Sequence, residues 1–142
     1  LPFLTLNRNV AHFSHAIFTG YKMWAPLQLW KIFSNVLNYF LKDPVLKTEN
    51  LPSFTRAFVT VQDGRHIVHV LAYLPEKRGQ DSEIIEDEIA VPDGKIALRA
   101  DGRQIRRVYL APDCRELKFQ INDGYVEVEL PLIKGYAMVV FE

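Results

Sequence analysis

Two periods of apolar and polar residues organise this chain. Over 25–42 (APLQLWKIFSNVLNYFLK), Leu27, Trp30, Phe33, Leu37 and Phe40 recur at helical spacing, and Ile32, Val36 and Leu41 widen the stripe. Pro26 suits a first turn, and Asp43-Pro44 ends the pattern, because the residue before a proline is pushed out of helical geometry. This is the one helix that the spacing predicts. From residue 54 onward the period falls to two. In 65–73, Ile67, His69, Leu71 and Tyr73 share one face and His66, Val68, Val70 and Ala72 the other, both largely apolar, as in a central strand. Further strand-like runs lie at 54–62, 89–91, 95–100, 106–111, 116–121, 125–130 and 136–141.

Asp-Gly dipeptides punctuate these runs. Asp63-Gly64, Asp93-Gly94, Asp101-Gly102 and Asp123-Gly124 hold four of the seven glycines. Asp-Gly between alternating runs favours a type I′ turn, whose two central residues need positive φ. Seven or eight short strands with such turns predict a mainly β fold, an Ig-like antiparallel β-sandwich. An N-terminal helical segment precedes it. Residues 43–53 (DPVLKTENLPS) read as a linker, which divides the chain into a 1–49 segment and a 50–142 sandwich domain. Residues 1–23 are aromatic but weakly periodic, with 10–18 (VAHFSHAIF) read as a strand or extended segment, and 75–88 as a polar loop.

Charge removes some function classes. Seventeen basic residues balance seventeen acidic ones, so no electrostatic footprint for nucleic acid or an anionic membrane is present. No apolar run approaches the roughly 20 residues of a spanning helix. A single cysteine, Cys114, excludes an internal disulfide. The opening Leu1-Pro2-Phe3 lacks an initiator methionine, as expected of an excised fragment.

Candidate chemistry is sparse. His12/His15 and His66/His69 have a metal-pair spacing, but in strands i and i+3 face opposite ways, so both pairs read as ordinary histidines. The acidic run Asp81, Glu83, Glu86, Asp87, Glu88 lacks an EF-hand pattern and reads as a solvated loop. Asp113, Glu116, Glu127 and Glu129 are the carboxylates nearest to a hydrolase pair, yet they read as solvent-facing. Cys114 beside Arg115 has no identifiable histidine partner, and no glycine-rich phosphate loop exists. No catalytic, cofactor or metal residue is therefore assigned. Phe13, Phe18, Tyr21, Trp24 and Trp30 crowd the front of the chain, and a core or an interface is the simpler reading than a sugar platform. Tyr21, Trp24, Trp30 and Phe33 are the candidate interface or sugar-stacking residues.

Four segments carry a family resemblance. They are the 10–18 run with Tyr21, the helix end Asn35-Val36-Leu37 through Asp43-Pro44, and Gly64-Arg65-x-Ile67-Val68-His69-x-Leu71-x-Tyr73; the fourth joins Arg107-Val108-x-Leu110-Ala111-Pro112, Asp123-Gly124-Tyr125-Val126 and Gly135-Tyr136-Ala137-Met138-Val139-Val140. Through them residues 9–142 resemble the C-terminal end of a glycoside hydrolase group, β-galactosidase-like with a trimerisation-type middle domain, or α-L-fucosidase-like. Ala72 stands where that group often has Asn, and Tyr136 where it often has His. The resemblance implies a catalytic barrel and a flavodoxin-like middle domain upstream, with residues 1–45 as the tail of the latter. The family's catalytic carboxylates belong to the barrel, so none maps onto this sequence. The expected role is a non-catalytic accessory domain whose partner is the remainder of a parent enzyme, supporting packing or homo-oligomerisation. A carbohydrate-binding module and a protein-interaction module are the alternatives.

Overall fold

The structure, a computed structural model, describes residues 2–142. The chain divides into two compact units, Leu1–Pro44 and Val45–Glu142.

The front unit holds a hairpin of β1 (Leu4–Asn7) and β2 (Val10–Phe13), then α1 (Ile17–Trp24) and α2 (Leu27–Phe40). The helix predicted over 25–42 is α2. Pro26 is its N-cap, and Leu41 closes it by donating its N–H to the Leu37 carbonyl at 2.7 Å. The 10–18 run is split between β2 and α1, so α1 is a helix that the period did not predict. β-Branched Ile17 and Thr19, together with Gly20, weaken its helix propensity. Its packing needs Gly20, where a Cβ would lie 3.3 Å from Leu29 Cδ1 of α2.

The second unit is a sandwich. Its strands are β3 (Leu46–Glu49), β4 (Arg56–Gln62), β5 (Arg65–Ala72), β6 (Glu76–Lys77), β7 (Glu83–Ile84), β8 (Ala90–Val91), β9 (Lys95–Arg99), β10 (Val108–Ala111), β11 (Arg115–Glu116), β12 (Phe119–Asn122), β13 (Tyr125–Glu129) and β14 (Ile133–Phe141). One sheet runs β11-β10-β14-β5-β4, with β8 pairing the start of β14, and the other runs β12-β13-β9-β3. β6 and β7 form a separate ribbon inside the stretch expected to be loop. β3 lies inside the stretch expected to be linker; it pairs with β9, and Leu46 packs against the core while Lys47, Thr48 and Glu49 stay in water.

The core lies between the two sheets. β5 and β14 supply Val68, Val70, Ala72, Ala137, Val139 and Phe141; β9 and β13 supply Ile96, Leu98, Val126 and Val128. Burial of each valine, leucine, isoleucine or phenylalanine among them stabilises by about 1.5–3 kcal/mol. The predicted central strand is β5, in register with β14 on one side (Val68↔Val139) and β4 on the other (Val59↔Val68).

Two Asp-Gly dipeptides make the expected hairpins. Asp63-Gly64 (φ 49° and 79°) joins β4 to β5, and Asp123-Gly124 (φ 47° and 79°) joins β12 to β13. Asp101-Gly102 makes a tight turn, with Arg103 N–H donating to the Ala100 carbonyl at 2.9 Å, but the chain then crosses to the other sheet. Asp93-Gly94 differs in kind. Only Asp93 has positive φ, and Gly94 is a packing position, where a Cβ would lie 2.7 Å from Leu51 Cδ2.

Candidate functional site

Several titratable groups are held in small structural pairings. His15 stacks on Phe3 at 5.3 Å and its Nδ1 meets Ser14 Oγ at 2.9 Å, while His12 lies in β2 opposite Thr5. His66 and His69 face opposite sides of β5, as the strand period requires. Among the described residues no group of three His, Cys, Asp or Glu side chains is placed to hold a metal ion. In the acidic stretch Arg78 pairs with Glu86 and, at 3.2 Å, with Glu76. Glu116 accepts from Arg107 Nε at 2.9 Å. Cys114 is exposed beside the Pro112 carbonyl.

His66 is the buried exception. Its side chain points into the end of the sandwich, and burial, then the nearby Arg103 cation, pushes its pKa below the ordinary value against the pull of Asp101. Its Nδ1 has no hydrogen-bond partner among the described residues. Asp101 is held below the usual carboxylate range chiefly by the hydrogen bond from Arg99 Nε, at 2.5 Å.

The front aromatics form two groups. Tyr21, Trp30 and Phe33 line a small cavity of about 70 Å³ with Phe18, Ile17 and Leu29. Phe18 meets Phe33 edge-on at 5.0 Å, and Tyr21 lies tilted against Trp30 at 6.2 Å. Trp24 is outside this cavity and 73% exposed.

The outer faces of the two sheets differ in chemistry. On the larger sheet Phe58, His69 and Tyr136 stand in a row with centroids 4.8 and 6.0 Å apart. His69 Nε2 meets Thr60 Oγ1 at 2.8 Å and Nδ1 meets the Tyr136 hydroxyl at 2.5 Å. Phe58 and Tyr136 remain 47% and 43% exposed, so this row is an aromatic surface tied together by the His69 ring nitrogens.

The four-stranded sheet carries an open depression of about 660 Å³. Strand register explains it. Lys47, Ala97, Glu127 and Gln120 form one row across the sheet; Glu49, Lys95 and Glu129 form the next; Arg99, Tyr125 and Asn122 form a third. Ala97 is the small residue at the centre of these long side chains. Glu127 accepts from Gln120 Nε2 at 3.2 Å and Asn122 Nδ2 at 3.4 Å, and Lys95 pairs with Glu129 at 3.1 Å. The Lys47 ammonium lies 3.7 Å above the Tyr125 ring, which lines the depression but is only 4% exposed. Sequence reasoning saw Glu127 and Glu129 on one face but missed this surface. Its signal was alanine among outward charges in 95–99 (KIALR).

No family model matches the chain, and no curated protein matches it. Among solved structures, α-L-fucosidase isoenzyme 2 from Paenibacillus thiaminolyticus is similar over 99% of the chain, with a TM-score of 0.92 and 30% identity. The chain shares the structure of a domain found in a glycoside hydrolase. The fucosidase likeness is confined to part of that enzyme, since the chain spans only 22% of its length. A cycloisomaltooligosaccharide glucanotransferase from a Paenibacillus species, solved with cycloisomaltoheptaose, is similar over 68% of the chain and 16% of its own, at TM-score 0.53 and 17% identity. That second likeness concerns the fold alone.

Three of the stretches that carried the family resemblance are neighbours in one sheet. β10, β14 and β5 are neighbours, and they hold the Arg-Val-x-Leu-Ala, Gly-Tyr-Ala-Met-Val-Val and Gly-Arg-x-Ile-Val-His segments. His69 of one contacts Tyr136 of another, and Gly135 lies against the ring of Tyr73.

Proposed function

We propose that the chain is a non-catalytic accessory domain of a glycoside hydrolase and that its front unit packs against the rest of that enzyme. The carrying observation is the uncovered apolar surface of the front unit. Phe18, Met23, Trp24, Leu27, Trp30 and Tyr39 are each at least half exposed there. Val36 is the one fully buried side chain of α2, although its stripe has the width of a core helix. Contiguous apolar surface of this kind marks an interaction site. The fucosidase likeness supports the parent's class, and the rest of such a polypeptide is the occupant of that surface.

Both tryptophans, Trp24 and Trp30, lie in the front unit, so they report on it alone. Fluorine NMR of the fluorotryptophan-labelled chain, alone and with the rest of the polypeptide added, tests the proposal. Both signals are expected to shift and to lose their solvent isotope effect on association. Unchanged signals at saturating concentration refute the packing role. Loss of the solvent effect in the chain alone, with a dimer in sedimentation, assigns the surface to a second copy instead.

A further inference from the structure

We propose that the depression on the outer face of β12-β13-β9-β3 binds a neutral saccharide chain. This goes beyond the packing role, which concerns the other unit. Four observations lead there.

The first is shape. Ala97 at the centre of three rows of long side chains leaves a trough of about 660 Å³, within the range of small-ligand sites. The second is fixed polarity. Cross-strand amides hold the Glu127 carboxylate, and Lys95 holds Glu129, so acceptors and donors alternate along rows spaced by the pleat of the sheet. A carboxylate flanked by amides recognises vicinal hydroxyls, which donate to the first and accept from the second. The third is charge balance. Lys47, Lys95 and Lys118 oppose Glu49, Asp123, Glu127 and Glu129 around the rim, which leaves a single net negative charge and so no field that would gather a polyanion. The fourth is the Tyr125 ring under Lys47. That ring is 4% exposed, and Lys47, an ammonium on a flexible stem, is the cover whose displacement opens an apolar face to sugar C–H groups. A protein partner fits less well. None of the large exposed hydrophobics that anchor such interfaces stands in these three rows.

The test is titration of the isotopically labelled chain with neutral tetra- to hexasaccharides of glucose, xylose, galactose, mannose and fucose, read by amide chemical shifts. Saturable shifts at Ala97, Gln120, Asn122 and Glu127 are expected for at least one sugar, with none at Phe58, His69 or Tyr136. Glu127→Ala should weaken that binding about tenfold, the effect of losing a charged hydrogen-bond partner. Ala97→Trp should abolish it by filling the trough. If Ala97→Trp fails to fold, Gln120→Ala on the edge strand decides, with weakening expected. Absence of shifts with every sugar overturns the proposal. So does binding that survives filling of a folded trough, or a response to a mixed-charge peptide and to no saccharide.

Discussion

Gly135→Ala tests the junction on which the sandwich is built. Gly135 lies in β14 with φ 66°, opposite Ala72 of β5. An L-residue in that left-handed region costs about 1–2 kcal/mol. A Cβ there would also stand 2.7 Å from Tyr73 Cε1 and 2.8 Å from Cζ and the hydroxyl. Those are ring atoms of a half-buried side chain, so the ring must move, at a cost of order 1–3 kcal/mol. The two terms give a loss of about 2–5 kcal/mol, against a total stability of about 5–15 kcal/mol for an ordinary domain. The midpoint of melting should fall by roughly 15 °C. Urea denaturation followed by far-UV circular dichroism measures it, since tryptophan fluorescence would report the front unit only. In a Tyr73→Ala background the ring is gone, and Gly135→Ala should cost only the backbone share of about 1–2 kcal/mol. An equal cost in both backgrounds refutes the ring contact. A Gly135→Ala variant within about 0.5 kcal/mol of wild type refutes the whole account.

Two further measurements probe the same core. Phe141, fully buried one residue from the C-terminus, pairs Val108 of β10 on one side and His66 of β5 on the other. Phe141→Ala should cost about 3–5 kcal/mol, and a near-neutral result in denaturation would show that the strand end frays. His66 is pushed below its ordinary pKa in the folded state, so the unfolded chain binds its proton first. Stability from this group is therefore full above about pH 6.5 and declines as pH falls from there towards the folded value. Melting temperatures from pH 8 to pH 5 should show that decline, and His66→Gln should flatten it; an identical slope in the variant contradicts the assignment.

The sandwich was legible because strand period and turn chemistry agreed over most of 54–142. β5 shows this best: both faces are apolar at the centre in the sequence, and the face of His66, Val68, Val70 and Ala72 is wholly buried while the other is partly so. Asp63-Gly64 and Asp123-Gly124 connect neighbours in register, so local φ demands and sheet pairing coincide. Asp101-Gly102 has the same backbone but sends the chain to the other sheet, a choice that depends on where β10 finds its partner. β3 was hidden because Leu46-Lys47-Thr48-Glu49 lies among prolines and acquires its strand character from pairing with β9. α1 was hidden because its helix is justified by Leu29 packing over Gly20, a contact from outside the segment. Tyr21, Trp30 and Phe33 were legible as an aromatic group, but their shared cavity needs α1 to turn back on α2.

The depression on the small sheet was illegible for a related reason. It arises from row alignment of β3, β9, β13 and β12, and no one of these strands contains it. Lys47, Ala97, Glu127 and Gln120 are ordinary surface residues until register puts them side by side. The segments behind the family resemblance say little about that face. Those on β10, β14 and β5 interlock through Leu110↔Val139, Val68↔Val139, His69 with Tyr136 and Tyr73 with Gly135. Residues bound to one another in this way specify a sheet and its registry. Of the four strands that make the depression, only β13 overlaps a resemblance segment, through Tyr125 and Val126. The likeness to part of a fucosidase covers 99% of the chain and so takes in both sheets, but it concerns their fold, while the saccharide site proposed above rests on the outward side chains of the smaller sheet. A shared fold leaves outward side chains free to differ, so the class of saccharide proposed for the depression is to be sought in Gln120, Asn122, Glu127 and their neighbours in this chain.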